Sequence, residues 1–201
     1  MSVAPVVKLY RNPWREILLD GVVLQILQTA AIEADEKLQK MIARGEVEDG
    51  RDSFGAVLLD PTRPRWANTF EDRLFASIEL GPNGTKYLPN GAAKADAHDR
   101  HGVPNGVLVM NASHCLSDGD FAWGDSAEYN FAIGGGSGLS VEQDGEMVEM
   151  ILEAVMDAVR DRRDAWLEEQ RRAGSHGWYN PDDMPGAEYV SILAMDAIMM
   201  C

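Results

Sequence analysis

The chain has 201 residues, 45% hydrophobic and 25% charged, which suits one globular domain with extensions and a core of useful size. Its 33 acidic residues against 18 basic ones give a formal charge of −15, a field that repels both a phosphate backbone and an anionic membrane surface. Neither nucleic acid nor membrane is therefore expected as a partner. The two cysteines, Cys115 and Cys201, lie far apart and match no metal-binding spacing. No basic-then-apolar leader and no bilayer-length apolar run is present, so the expectation is a reduced protein that stays in the cytoplasm.

In chain order, residues 1–16 read as an N-terminal extension to a domain spanning 17–173. From 17 to 44, Val22, Val23, Ile26, Leu27, Ala30, Ala31, Ala34, Leu38, Met41 and Ile42 recur at three and four, with Glu33, Glu36, Lys37 and Lys40 opposite, which predicts a long amphipathic helix. Residues 54–60 read as a buried strand closed by Pro61 and Pro64, and 74–80 as a second strand stopped by the turn signal Gly81, Pro82, Asn83, Gly84. Residues 90–101 suggest a short alanine-rich helix capped by Asn90 and stopped by Gly102 and Pro104. A third strand is expected at 106–110, then a hairpin of 120–124 with 128–133.

That hairpin leads into Gly134, Gly135, Gly136, Ser137 and Gly138, read as a loop ahead of a helix over 141–172. Glycine tolerates positive φ and lets another group approach the backbone, so this stretch either holds a ligand or packs tightly. Ser140 and Gln143 have capping-box spacing, and a helix start favours an anion. Neither the dinucleotide nor the P-loop glycine spacing is present. The charge run 160–172 reads as a solvated face with intrahelical ion pairs. Residues 174–201 form a C-terminal extension whose apolar part, from Tyr189 to Cys201, needs cover from its own domain or a neighbouring subunit. The order helix, strands, helix, strands, helix predicts an α+β fold with helices packed on an antiparallel sheet.

Asn90, Gly91, Ala92, Ala93, Lys94, Ala95, Asp96 and Ala97, then Gly102, Val103 and Pro104, the strand entering Gly134 to Gly138, and Glu142, Gln143, Asp144 heading a helix together resemble the GlcG/HbpS family, also known as the haem-degrading or PduO C-terminal-like domain. The resemblance spans roughly residues 20–163. It implies a profilin-like layered domain and a small-ligand protein, often homo-oligomeric, associated in some members with haem or corrinoid and in others with catabolic enzymes. Gly136 stands where the family pattern has valine.

Lys94 matches the family lysine; beside the glycine stretch it would clamp a carboxylate or act as base or nucleophile, and otherwise it is an exposed helix lysine. His98 shares its helix face at i, i+4. His101 follows at i, i+3, but no third ligand is identified, so no metal site is read; one imidazole from His98, His101, His114 or His176 would suffice as an axial ligand to haem. His114, next to Cys115, follows the predicted third strand and joins Lys94 and His98 as an acid–base candidate. Glu142 and Asp144 suit a helix first turn for structural reasons alone. Trp123, Tyr129 and Phe131 either wall a flat ligand or belong to the core. Three functions are compatible with these residues: binding a tetrapyrrole or a small anionic metabolite, acid–base catalysis on a small carboxylated or aromatic substrate, or a non-catalytic role as a subunit of a complex.

Overall fold

A computed structural model describes residues 3–48, 50–63 and 65–174. The elements run β1 (Val6–Leu9), α1 (Asp20–Ala43), β2 (Phe54–Leu59), α2 (Phe70–Arg73), β3 (Leu74–Leu80), α3 (Gly84–His101), α4 (Asn105–Asn111), β4 (Ser126–Tyr129), β5 (Ala132–Ser137) and α5 (Val141–Arg172). One five-stranded sheet has the order β1-β3-β2-β5-β4, and every neighbouring pair is antiparallel. This is the expected α+β class.

Alternation along β2 and β3 separates the two faces of the sheet. Phe54, Ala56 and Leu58, opposite Leu80, Ile78 and Ala76, are buried in one core with Leu27, Ala30 and Leu38 of α1 and Met147, Val148, Ile151 and Val155 of α5. The residues between them face α3. There Gly55, Gly91 and Gly135 bring helix backbone onto strand backbone: a Cβ on Gly135 would overlap the Gly91 carbonyl oxygen and lie 2.6 Å from the Ala95 nitrogen.

Five elements differ from the sequence reading, four of them around the glycine stretch and α3. Gly134, Gly135, Gly136 and Ser137 are not a loop; they form most of β5, paired with β2 from Gly134↔Leu58 to Ser137↔Gly55. Their glycines serve packing on both faces, since a Cβ on Gly136 would overlap the Phe54 ring and one on Gly134 would lie 2.7 Å from Val148. Only Gly138, at φ 133°, makes the turn. The predicted strand 106–110 is helical, because acceptors from the 125–126 segment satisfy its first amides: Asn105 N donates to Ser126 Oγ at 2.7 Å and Gly106 N to Asp125 Oδ1 at 2.9 Å. Residues 120–124 are not a strand; the hairpin is β4–β5, closed by Asn130 and Phe131 with φ of 49° and 68°, the twist that two-residue hairpin turns require. Helix α3 starts six residues before Asn90 and includes Pro89, its packing on the sheet outweighing the lost amide.

Residues 6–9, assigned to an extension from sequence, form the edge strand β1 against β3. Residues 1–160 form one compact unit, and a second begins at Asp161. The described part of the second unit continues α5, where Arg171 and Arg172 pair with Glu168 and Arg163 with Asp164, all exposed as the charge run suggested. The apolar segment 189–201 and His176 lie outside the described residues. No helix among the described residues is long and apolar enough to cross a membrane.

Candidate functional site

Lys94 occupies the buried stripe of α3 together with Gly91, Ala95 and His98, and is fully buried. A charge in that position needs a partner, and two are present. Its Nζ donates to the Gly136 carbonyl oxygen at 2.6 Å and to Asp144 Oδ2 at 2.8 Å. Gly136 is available because the β4–β5 ladder ends at Ser126↔Gly135, one residue earlier. Asp144 sits on the buried stripe of α5 with Met147, Val148 and Ile151, and its Oδ1 accepts from Leu139 N at 2.9 Å. The pair thus ties α3, β5 and the start of α5 together.

Burial pushes the Lys94 ammonium below the usual lysine range, with the Asp144 carboxylate opposing that shift. Burial likewise raises the Asp144 carboxyl, opposed by Lys94 and by the Leu139 amide. The two groups are drawn towards each other in proton affinity, a pattern found at acid–base sites and also in structural ion pairs.

Residues 121–124 close over this pair. Gly124, at φ 80°, is obligatory: a Cβ there would overlap Lys94 Nζ and lie 2.7 Å from Asp144 Oδ2. The Phe121 ring centroid is 5.4 Å from Nζ. Asn105 holds the segment in place, its buried Nδ2 donating to Phe121 O at 3.0 Å and Gly124 O at 3.1 Å. Asn105 Oδ1 is buried without a hydrogen-bond partner.

A cleft of about 530 Å³ opens above, lined by Tyr87 and Asn90 of α3, Phe121, Trp123 and Gly124 of the covering segment, Ser137 to Glu142, Asp144, and Arg51 with Glu48. Its volume lies in the range of small-molecule sites. Tyr87, Phe121 and the 72%-exposed Trp123 supply aromatic surface, and Asp144 is the buried carboxylate in the wall. Ser140 and Gln143 form the expected capping box, with Gln143 N donating to Ser140 Oγ at 3.3 Å and Ser140 N to Gln143 Oε1 at 3.2 Å. Arg51 donates to the Leu139 carbonyl and pairs with Glu48 at 2.8 Å, so its guanidinium lies beside the helix start.

The structure therefore brings Lys94, Gly136, Ser137 and Gly138 together and leaves the described histidines elsewhere. His98 is buried, its Nδ1 3.1 Å from Ser126 Oγ, and it lines a separate groove of about 440 Å³ with Asp125, Glu128, Glu142, Glu146 and Glu149. His101 and His114 are exposed and line neither. Gly134 and Gly135 are packing positions in β5. Of the three aromatic candidates only Trp123 lines the cleft; Tyr129 packs on the core and donates to Asp157, while Phe131 is exposed at the hairpin tip. Asp144, Gly124, Asn105, Tyr87 and Arg51 are the additions. Asp144 was signalled by a carboxylate on an apolar stripe, whereas Asn105 and Gly124 carried no local signal. Among the described residues no cluster of three or more metal-ligating side chains occurs.

Compared with family models, with curated proteins and with solved structures, the chain matches none.

Proposed function

We propose that this chain is a cytoplasmic, homo-oligomeric small-ligand-binding protein of GlcG/HbpS type. Its ligand is a planar, carboxylated metabolite held in the cleft above Lys94 and Asp144. The observation that carries the reading is the cleft itself: aromatic surface from Tyr87, Phe121 and Trp123 faces a helix start and the Arg51 guanidinium, over a floor fixed by a buried ion pair. Flat apolar surface with a few fixed polar groups is what small-molecule recognition uses. Arg51 and the amides at the start of α5 are the donors available to a ligand carboxylate, set among the Glu48, Glu142 and Asp144 carboxylates of the same lining. Helices packed on an antiparallel sheet, the layered class that the family resemblance implies, support the reading at the level of fold class alone.

Among the described residues no histidine lines this cleft, whose donors there are hydroxyl, amide and carboxylate oxygens and one guanidinium, which disfavours histidine-ligated haem as its occupant. Lys94 is likewise not a free clamp, since Asp144 and Gly136 already engage it. Its role in binding is to hold the floor rigid. The test is a titration of the full chain with benzoate, phenylpyruvate and haemin, read by tryptophan fluorescence in wild type and Trp123→Phe. Quenching by the two aromatic acids that disappears in Trp123→Phe and weakens in Arg51→Met is the expected result. Saturable binding of haemin alone, with no response to either acid, would overturn it.

A further inference from the structure

Asp144 does more in this architecture than balance a charge. A carboxylate needed only to neutralise Lys94 could lie wholly within the packing, yet Asp144 lines the cleft while remaining 3% exposed. Its two oxygens are fixed separately, Oδ1 by the Leu139 amide and Oδ2 by Lys94 Nζ, so the carboxylate cannot rotate away. Each oxygen keeps a second lone pair. Around it are aromatic walls, the Arg51 guanidinium and the Glu48 and Glu142 carboxylates, and the Gly124 backbone packs against Lys94 and Asp144. A rigid, dehydrated carboxylate beside a slot for a flat acid is the arrangement of a general base acting on an acidic C–H bond.

Resting on the binding reading above, we propose that the protein catalyses keto–enol tautomerisation of a small aromatic 2-oxo acid, with Asp144 as the base. The ring lies among Tyr87, Phe121 and Trp123, and the carboxylate lies towards Arg51 and the start of α5. The Asp144 carboxylate takes a proton from the carbon next to the keto group. The C–H electron pair becomes the enolate double bond, and the carbonyl π pair moves onto oxygen. The carboxyl then returns a proton to the enolate oxygen, giving the enol, or to carbon, giving back the ketone. No bond to the protein forms, and no oxidant, reductant or co-reactant is consumed. Lys94 is a positioning residue: it holds Oδ2 and forms no bond to the substrate.

Incubation of the full chain with phenylpyruvate in D2O, followed by proton NMR, tests this directly. The methylene signal of phenylpyruvate is expected to exchange well above the buffer rate, one of its two prochiral protons going first, a stereoselectivity that exposed amines or carboxylates would not impart. Asp144→Asn should lower the protein-dependent rate by about 100-fold or more while phenylpyruvate still quenches Trp123. Should that variant fail to fold, the comparison of wild type with buffer and the order of proton loss still decide. Exchange no faster than buffer, equal loss of both protons, or undiminished exchange in a folded Asp144→Asn protein would overturn the proposal. Quenching without exchange would sink the catalysis alone, whereas absence of quenching by either aromatic acid would remove the binding reading as well.

Discussion

Breaking the Lys94–Asp144 pair from either side should destabilise the protein, with opposite dependence on pH. Lys94→Met leaves Asp144 buried with the Leu139 amide as its remaining donor from the pair's surroundings, and the cheapest escape is to take up a proton. From an ordinary carboxyl value of 3.8, protonation at pH 7 costs ~1.36 × 3.2, or ~4.4 kcal/mol, but only ~1.6 kcal/mol at pH 5. Asp144→Asn strands the ammonium instead. Shedding its proton from an ordinary 10.5 costs ~4.8 kcal/mol at pH 7 and ~2.0 kcal/mol at pH 9. Both ceilings agree with the ~3–5 kcal/mol typical of breaking a buried pair, a large share of a domain's ~5–15 kcal/mol. The double variant removes both charges and leaves chiefly the Gly136 carbonyl unsatisfied, at ~1–3 kcal/mol. Its cost should therefore fall below that of either single change. The sign follows from linkage: a raised carboxyl stabilises the fold at low pH and loses that contribution as pH rises, while a depressed lysine does so at high pH and loses it as pH falls. Urea unfolding of the four proteins at pH 5, 7 and 9 measures all of these values. Single-variant costs below ~1 kcal/mol, as for an exposed pair, or costs independent of pH, would refute the reasoning.

Three further outcomes follow from the same geometry. Gly135→Ala should cost more than the ~1–3 kcal/mol of ordinary overpacking, because the new methyl meets backbone on α3 and no flexible side chain can yield; Gly21→Ala, with open space around it in α1, should stabilise by up to ~1 kcal/mol, and thermal melts compare the two. His98 is depressed by burial against the opposing carboxylates of Glu128, Asp125 and Asp99, and Glu142, Glu146 and Glu149 line the same groove from α5. Its folded-state contribution is present above the ordinary value of 6.5 and is lost as pH falls through the depressed one, so melting temperature should drop on acidification in wild type and drop less in His98→Gln. Asn105→Ala frees the Phe121 and Gly124 carbonyls; it should weaken quenching of Trp123 by phenylpyruvate more than it lowers the melting temperature, and equal loss of both would argue for a merely structural role.

Long periodic segments were readable because one physical signal, burial of an apolar stripe, dictates them. Helices α1 and α5 and strands β2 and β3 stand within a few residues of where the hydrophobic spacing puts them. The glycines of β5 misled because glycine in sequence signals permissive φ, whereas here its missing Cβ is the property used: α3 rests on Gly135, and Val148 with Phe54 fills the space beside Gly136. Nothing local distinguishes those two uses. The segment 106–110 reads as a strand, and Asp125 and Ser126, distant in sequence, supply the acceptors that start the helix found there. At the candidate site, Lys94 and the end of the glycine stretch, both singled out from sequence, stand beside the same cleft, and Asp144 could have been singled out too, since Lys94 and Asp144 are opposite charges on two buried stripes. The histidines attracted attention by chemistry alone, and position decides against the three described ones, His98, His101 and His114, sharing the cleft. Arg51 and Tyr87 reach it from elements whose packing no short motif records.

The central claim, that the cleft between α3, the end of β5 and residues 121–124 is a binding site, is tested most directly by amide NMR of the full chain titrated with phenylpyruvate. Shifts concentrated at Tyr87, Trp123, Gly124 and Ser137 to Glu142, saturating together and absent in Arg51→Met, are the predicted result. Shifts confined to the His98 groove, or none at concentrations that saturate small-molecule sites, would contradict it.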